Sequence, residues 1–166
     1  MGSYANNAIS RRILEALPTL TPRDMVLVMW TFTIRRELLL QDAGYRSLCP
    51  NGTMPLEKEY FKYIDANPIY HIEESLKEIY IAQQLLTASS IPYVFMSSAT
   101  DLAQEVQQKT VPWSTYIDTD AWLFFDNDFG FNDWAKTTLK LLFTKKHPPD
   151  QAHQALAKRI LDKIYE

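Results

Sequence analysis

Apolar residues recur along the chain with two different periods. Ile9, Ile13 and Leu17 follow one another at four-residue spacing, Leu14 widens the stripe and Pro18 ends it, which predicts a first helix over residues 7–17. Residues 25–30 (MVLVMW) form a short, almost unbroken apolar run, the pattern of a parallel strand covered on both faces. Residues 31–43 carry a leucine run with Arg36 and Glu37 and read as helical, whereas the Gly, Pro, Asn and Ser content of residues 44–55 reads as a loop. A short helix is expected over 56–64. A longer one follows, with Asn67 as N-cap, Pro68 in its first turn and Glu73 and Glu74 near its positive end. Its expected core face runs through Ile72, Leu76, Ile79, Gln83 and Leu86. Ser89-Ser90 ends it, residues 91–96 (IPYVFM) are the second buried strand, and 101–108 is a short helix. Residues 121–125 (AWLFF) fit a third strand or an apolar loop, a span too short for periodicity to decide. The last helix begins at Pro148 or Pro149 and places Ala152, Leu156, Ile160 and Ile164 on one face.

Helices and strands therefore alternate, which predicts a single α/β domain over residues 1–166, a three-layer α/β/α arrangement around a small parallel sheet. Ligand sites in such sheets lie outside the carboxyl ends of the strands. Here those ends are residues 30–33 (WTFT) and 97–100 (SSAT).

Composition narrows the partners. Seventeen Lys and Arg against 20 Asp and Glu leave a charge of -3, so no basic field invites nucleic acid. The single cysteine, Cys49, forms no internal disulfide, which suits a reducing compartment. The N-terminal stretch has no apolar segment of a secretory signal, and the densest apolar run is far shorter than the roughly 20 residues of a membrane helix. The expectation is a soluble, cytoplasmic protein that engages neither membrane nor nucleic acid. Asn51-Gly52-Thr53 reads as a turn, not as a glycosylation site.

Candidate chemistry is sparse. His71 reads as a partly exposed histidine on the long helix. His147 and His153 are six residues apart and share no helix face, so no metal site follows from them. His147 stands before Pro148-Pro149, in a loop that can aim a side chain over a site. Asp126-Asn127-Asp128 starts like a calcium loop, but Phe131 takes the glycine position and Thr137 the bidentate glutamate position. Gly2 to Asn7 open the first helix, where backbone N–H groups and Asn amides either hold an anion or cap the helix. Arg35-Arg36 is a pair able to grip an anionic group. No glycine-rich phosphate loop is present, which sets aside nucleotide binding.

Gly2-Ser3-x-x-Asn6 leading into a helix, Val26 to Trp30 followed by Thr31 and Arg35-Arg36, and His147-Pro148 followed by Ala152-His153 together resemble the SGNH/GDSL-type hydrolases. More narrowly, they are similar to uncharacterised relatives often found in tailed phages and their bacterial hosts. The resemblance implies an SGNH/flavodoxin-like fold without a cofactor, with His147 as general base and Gly2 and Asn6 as oxyanion donors. It places Thr31 or Thr33 where a third-motif asparagine belongs and Arg35 beside the substrate. The departures are specific: no Gly-Asp-Ser occurs anywhere, the strand that carries it in that family is missing ahead of Gly2, and Thr144 stands where an aspartate orients the histidine. General-base catalysis needs a hydroxyl within reach, and only Ser3, Ser97 and Ser98 fall near the rim. The expectation is an ester- or acyl-hydrolase fold that is incomplete or inactive as this chain alone and completed by a second copy or a partner chain. The alternative is a non-catalytic recognition or assembly module, a phage accessory or virion component, using the aromatic-rich segment 111–134.

Overall fold

The two apolar runs that read as buried strands pair with each other. In the computed structural model, which describes residues 5–41, 44–50, 52–64, 68–143 and 148–165, β1 (Val26–Trp30) and β4 (Tyr93–Ser97) run parallel, from Val26 against Tyr93 to Trp30 against Ser97. Between them in sequence lie β2 (Arg36–Leu40) and β3 (Gly44–Leu48), paired antiparallel, and the helices α2 (Pro55–Ile64) and α3 (Pro68–Ala88). Helix α1 (Asn6–Ala16) precedes β1, and α4 (Thr100–Gln108), α5 (Phe131–Thr137) and α6 (Asp150–Tyr165) follow β4. The fold is mixed α/β.

The segment around Trp122 resolves the ambiguity of residues 121–125. Phe95 donates its N–H to the Ala121 carbonyl and accepts from Leu123 N–H, both at 2.8 Å, which makes a single parallel bridge on the free side of β4. Alternation along the strands then sends side chains to two separate cores. Val28, Trp30 and Phe95 join Ile13 of α1, Leu76, Ile79 and Leu86 of α3, and Leu102 and Val106 of α4. Val94 and Met96 join Phe131 and Trp134 of α5 and Ala152 and Leu156 of α6. Trp30 and Phe95 meet edge to face at 5.3 Å in the first cluster.

Three local expectations need correction. Of the segment 31–43 expected to be helical, residues 31–41 are not: β2 occupies 36–40, and β3 replaces the first part of the expected loop. Arginine and leucine favour helix as residue types, but the segment lacks a helical stripe, and tertiary contacts override so weak a preference. The backbone of Glu37 is held extended by the Asn7 side chain, and Gly44 adopts φ +65°, which glycine accepts without strain. His71 is not on the surface; it is 2% exposed, because the buried face of α3 extends through His71 and Ser75 to meet α1. The sequence also gives no hint of α5. The expected cap Asn67 lies outside the described residues. Among those described, no helix is long and apolar enough to cross a membrane.

Candidate functional site

At the carboxyl ends of β1 and β4 the chain leaves the sheet twice, and the two exits are tied together: Ser98 N–H donates to the Trp30 carbonyl at 2.8 Å. The first turn of α1 lies against the first exit. The fully buried Asn6 side chain accepts from Thr31 N–H at 2.8 Å and donates to the Thr31 carbonyl at 3.2 Å and to Ser75 Oγ at 3.0 Å. Asn7 repeats the device on β2, accepting from Glu37 N–H at 3.0 Å and donating to the Glu37 carbonyl at 2.8 Å. Two consecutive asparagines thus clip two backbone stretches, the end of β1 and the start of β2. Arg11, one turn later, takes the buried Glu37 carboxylate through Nε at 3.0 Å and Nη2 at 3.2 Å. Those bonds to Glu37, with a further one to Glu15, raise the Arg11 pKa above its ordinary value.

The rest of the rim is polar and interlocked. Thr33 Oγ1 donates to Asp101 Oδ2 at 3.1 Å, while Asp101 Oδ1 accepts from Leu102 N–H. Arg35 Nη1 donates to Thr31 Oγ1 at 2.8 Å, and its guanidinium lies 4.8 Å from the Phe32 ring centre. On the β4 side the Ser97 hydroxyl closes a small turn with the Ala99 backbone, donating to its carbonyl and accepting from its N–H. Thr100 Oγ1 donates to Asp133 Oδ2 and accepts from Gly130 N–H at 3.0 Å. A Cβ on Gly130 would stand 2.4 Å from the Ala99 carbonyl carbon, so only glycine lets α5 approach the rim this closely.

Of the residues named from the sequence, Asn6, Thr31, Thr33 and Arg35 come together at this one rim. Gly2 and His147 lie outside the described residues, as do Ser3 and Thr144. Asn6 and Thr31 are satisfied by each other, and both N–H bonds of the Asn6 amide are in use. Arg35 differs: among the described residues no carboxylate lies within ion-pair distance of it, and a single protein acceptor engages its guanidinium. His153 is on α6 with its ring 5.4 Å from Phe131. Among the described residues no cluster could hold a metal ion. Asn7, Ser75, Asp101 and Asp133 were not singled out as site residues by the sequence reading. The signal for the first was the doubled asparagine itself, since one cap residue suffices to start a helix.

A second feature lies away from the rim. Tyr80 of α3 and Trp113 and Tyr116 of the short helical turn Pro112–Tyr116 stand with ring centres 5.9–6.0 Å apart around an open cleft of about 420 Å³. Glu105 of α4 holds that turn in place, accepting from the Thr110 hydroxyl and, at 2.8 Å each, from Val111 N–H and the Ser114 hydroxyl. Burial pushes the Glu105 pKa up, but these hydrogen bonds outweigh it and leave the carboxyl below its ordinary value. Most other aromatics of segment 111–134 belong to the two cores. No protein-family model, curated protein or solved structure matches this chain.

Proposed function

We propose that the protein is an SGNH/GDSL-like ester- or acyl-hydrolase fold that binds an acylated or anionic ligand at the carboxyl rim of its parallel sheet and does not cleave it as this chain alone. One observation carries the reading: the opening of α1 and the end of β1 meet through Asn6 and Thr31, where the family resemblance puts an oxyanion site, yet these groups bond one another. An oxyanion hole needs donors aimed at empty space. Asn6 has none left. Arg35, poised over Phe32 with most of its donors unengaged by the described residues, is the ligand-binding cation, and the family resemblance alone assigns His147 as the base. The two helical layers flanking β1 and β4 are in keeping with the three-layer architecture. Direct pairing of β1 with β4 leaves no gap between them, so a strand from a second copy or partner would add along the outer edge of β1. The test is hydrolysis of short-chain p-nitrophenyl esters by the wild type and His147→Ala. The expected result is no turnover above buffer in either; turnover that His147→Ala abolishes would refute the non-cleaving reading.

The aromatic cleft favours a second reading, a recognition or assembly module in which Tyr80, Trp113 and Tyr116 receive a partner's side chain. Light scattering over a concentration series separates the two. Under this reading wild-type self-association is lost in Trp113→Ala and kept in Arg35→Ala.

A further inference from the structure

Arg36 is a buried cation with no counter-ion among the described residues. It opens β2, is only 7% exposed, and its Nη2 is fully enclosed without a hydrogen-bond partner. Among the described residues no carboxylate stands within ion-pair distance of it, and two acids near it, Glu37 and Glu74, have cations of their own. Glu37, its neighbour in sequence, is bound by Arg11 at 3.0 Å. Glu74, which acts on the same tyrosine as Arg36 does, pairs with Lys77 at 2.5 Å.

What surrounds the guanidinium is aromatic. The Tyr70 ring centre is 5.7 Å from its central carbon, and the Tyr60 phenol lies beside it. Burial raises the Tyr60 pKa, and the charge of Arg36 opposes that rise without cancelling it. One π face, from Tyr70, and the phenol oxygen of Tyr60 soften the isolation of a cation but do not neutralise it. Burying an uncompensated charge is costly, and leaving one member of a buried pair without its partner is strongly destabilising. A water molecule would satisfy the hydrogen bond of Nη2 and leave the charge. An oxyanion satisfies both.

We propose that Arg36 is the floor of a binding site for a small oxyanion, a carboxylate or phosphate group, which Tyr60 and Tyr70 close over. The planar guanidinium presents paired N–H groups that match either oxyanion, and the phenol of Tyr60 adds a third donor. Tyr70 is 44% exposed, so its ring is the cover that moves to admit the ligand. The site is separate from Arg35, which faces Thr31 and Phe32, and it stands whether or not the hydrolase-fold reading does.

The test is thermal denaturation of the full chain titrated with sodium phosphate or sodium acetate, against sodium chloride at matched ionic strength. The wild type is expected to show a saturable rise in Tm with at least one oxyanion, about 3–6 °C at tenfold excess over Kd. Arg36→Met fills the same slot without charge. It is expected to melt no lower than wild type in chloride and to lose the rise. Arg36→Lys, which keeps the charge but not the paired donors, weakens the half-saturating concentration at least tenfold and covers the case in which the methionine variant does not fold. A response to acetate alone assigns a carboxylate ligand, to phosphate alone a phosphate ligand. No saturable rise in wild type with either anion, or an undiminished rise in Arg36→Met or Arg36→Lys, would overturn the proposal.

Discussion

Asn6 and Thr31 face each other as residues of two neighbouring strands would, the side-chain amide of one standing in for a peptide and exchanging two hydrogen bonds with the backbone of the other at 2.8 and 3.2 Å. Because the pair is buried, truncating Asn6 leaves the N–H and carbonyl of Thr31 without partners, while the Ser75 hydroxyl keeps its own bond to the His71 carbonyl at 2.8 Å. Each such orphan costs roughly 1–3 kcal/mol. Asn6→Ala is therefore expected to lower the unfolding free energy by about 3 kcal/mol in urea titration. The Asn7 clip on Glu37 is only partly buried, so water can replace it, and Asn7→Ala should cost about 1 kcal/mol. Equal, small losses in the two variants would mean that the clamp does not organise the rim.

Gly130 sets how closely α5 sits on the end of β4. Its φ of -73° is open to any residue, so nothing but space forbids a side chain there. An added methyl would meet the Ala99 carbonyl carbon at 2.4 Å, backbone that cannot rotate away. Gly130→Ala should cost about 2 kcal/mol by overpacking and loosen the Thr100–Asp133 contact. Thermal melts of this variant beside Gly44→Ala are informative, since a methyl at Gly44 meets only open space and any loss there is conformational.

The parts of the fold that the sequence discloses are those where one period dominates. Residues 91–96 are apolar because both faces of β4 are covered, and residues 25–30 share the pattern although Leu27 is half exposed, so the two runs read directly as paired parallel strands. The stripes Ile9, Ile13 and Ala152, Leu156 mark α1 and α6 because each packs one face on a core. Residues 36–48 read as helix and loop because their alternation is weak. Arg36 and Glu37 are buried consecutively, one against tyrosines and one against Arg11, so polar residues occupy positions that a pattern reader assigns to solvent. The same cause hid His71 and Ser75. Strand-end geometry points to Thr31 and Thr33, whereas Asn6 and Arg35 enter through the helix opening, the arginine pair and the family resemblance. That geometry identifies which residues meet at a rim, and it does not reveal whether their hydrogen bonds point inward or toward a ligand.

The outer edge of β1 has no strand partner among the described residues, and Leu27 beside it is 49% exposed. Edges of this kind template pairing with another chain unless a charge or a proline interrupts them. If a second copy adds there, the wild type is a dimer in multi-angle light scattering with a Tm that rises with protein concentration, and Leu27→Lys is a folded monomer whose Tm does not depend on concentration. A wild type that stays monomeric at every concentration measured would remove the strand-addition part of the proposal.

Glu105 couples proton binding to the aromatic cleft. Its carboxylate, with an ordinary value of 4.5, is held lower in the folded protein because three hydrogen-bond donors from residues 110–114 outweigh the upward push of burial. A folded-state pKa below the unfolded one means that the native state binds its proton later than the unfolded chain does. The stabilisation is complete above about pH 5 and drains away as pH falls through the depressed pKa. Glu105→Gln, which keeps the shape and loses the charge, should forfeit about 2 kcal/mol at neutral pH, or about 4–8 °C in Tm. That deficit should narrow steadily on acidification below pH 5, since protonation takes the same charge from the wild type. Trp113 sits in the turn that Glu105 anchors, so its fluorescence in the wild type should shift over that acid range and stay flat in Glu105→Gln. A deficit that is constant from pH 7 to pH 3 would show that the carboxylate charge does not hold the turn.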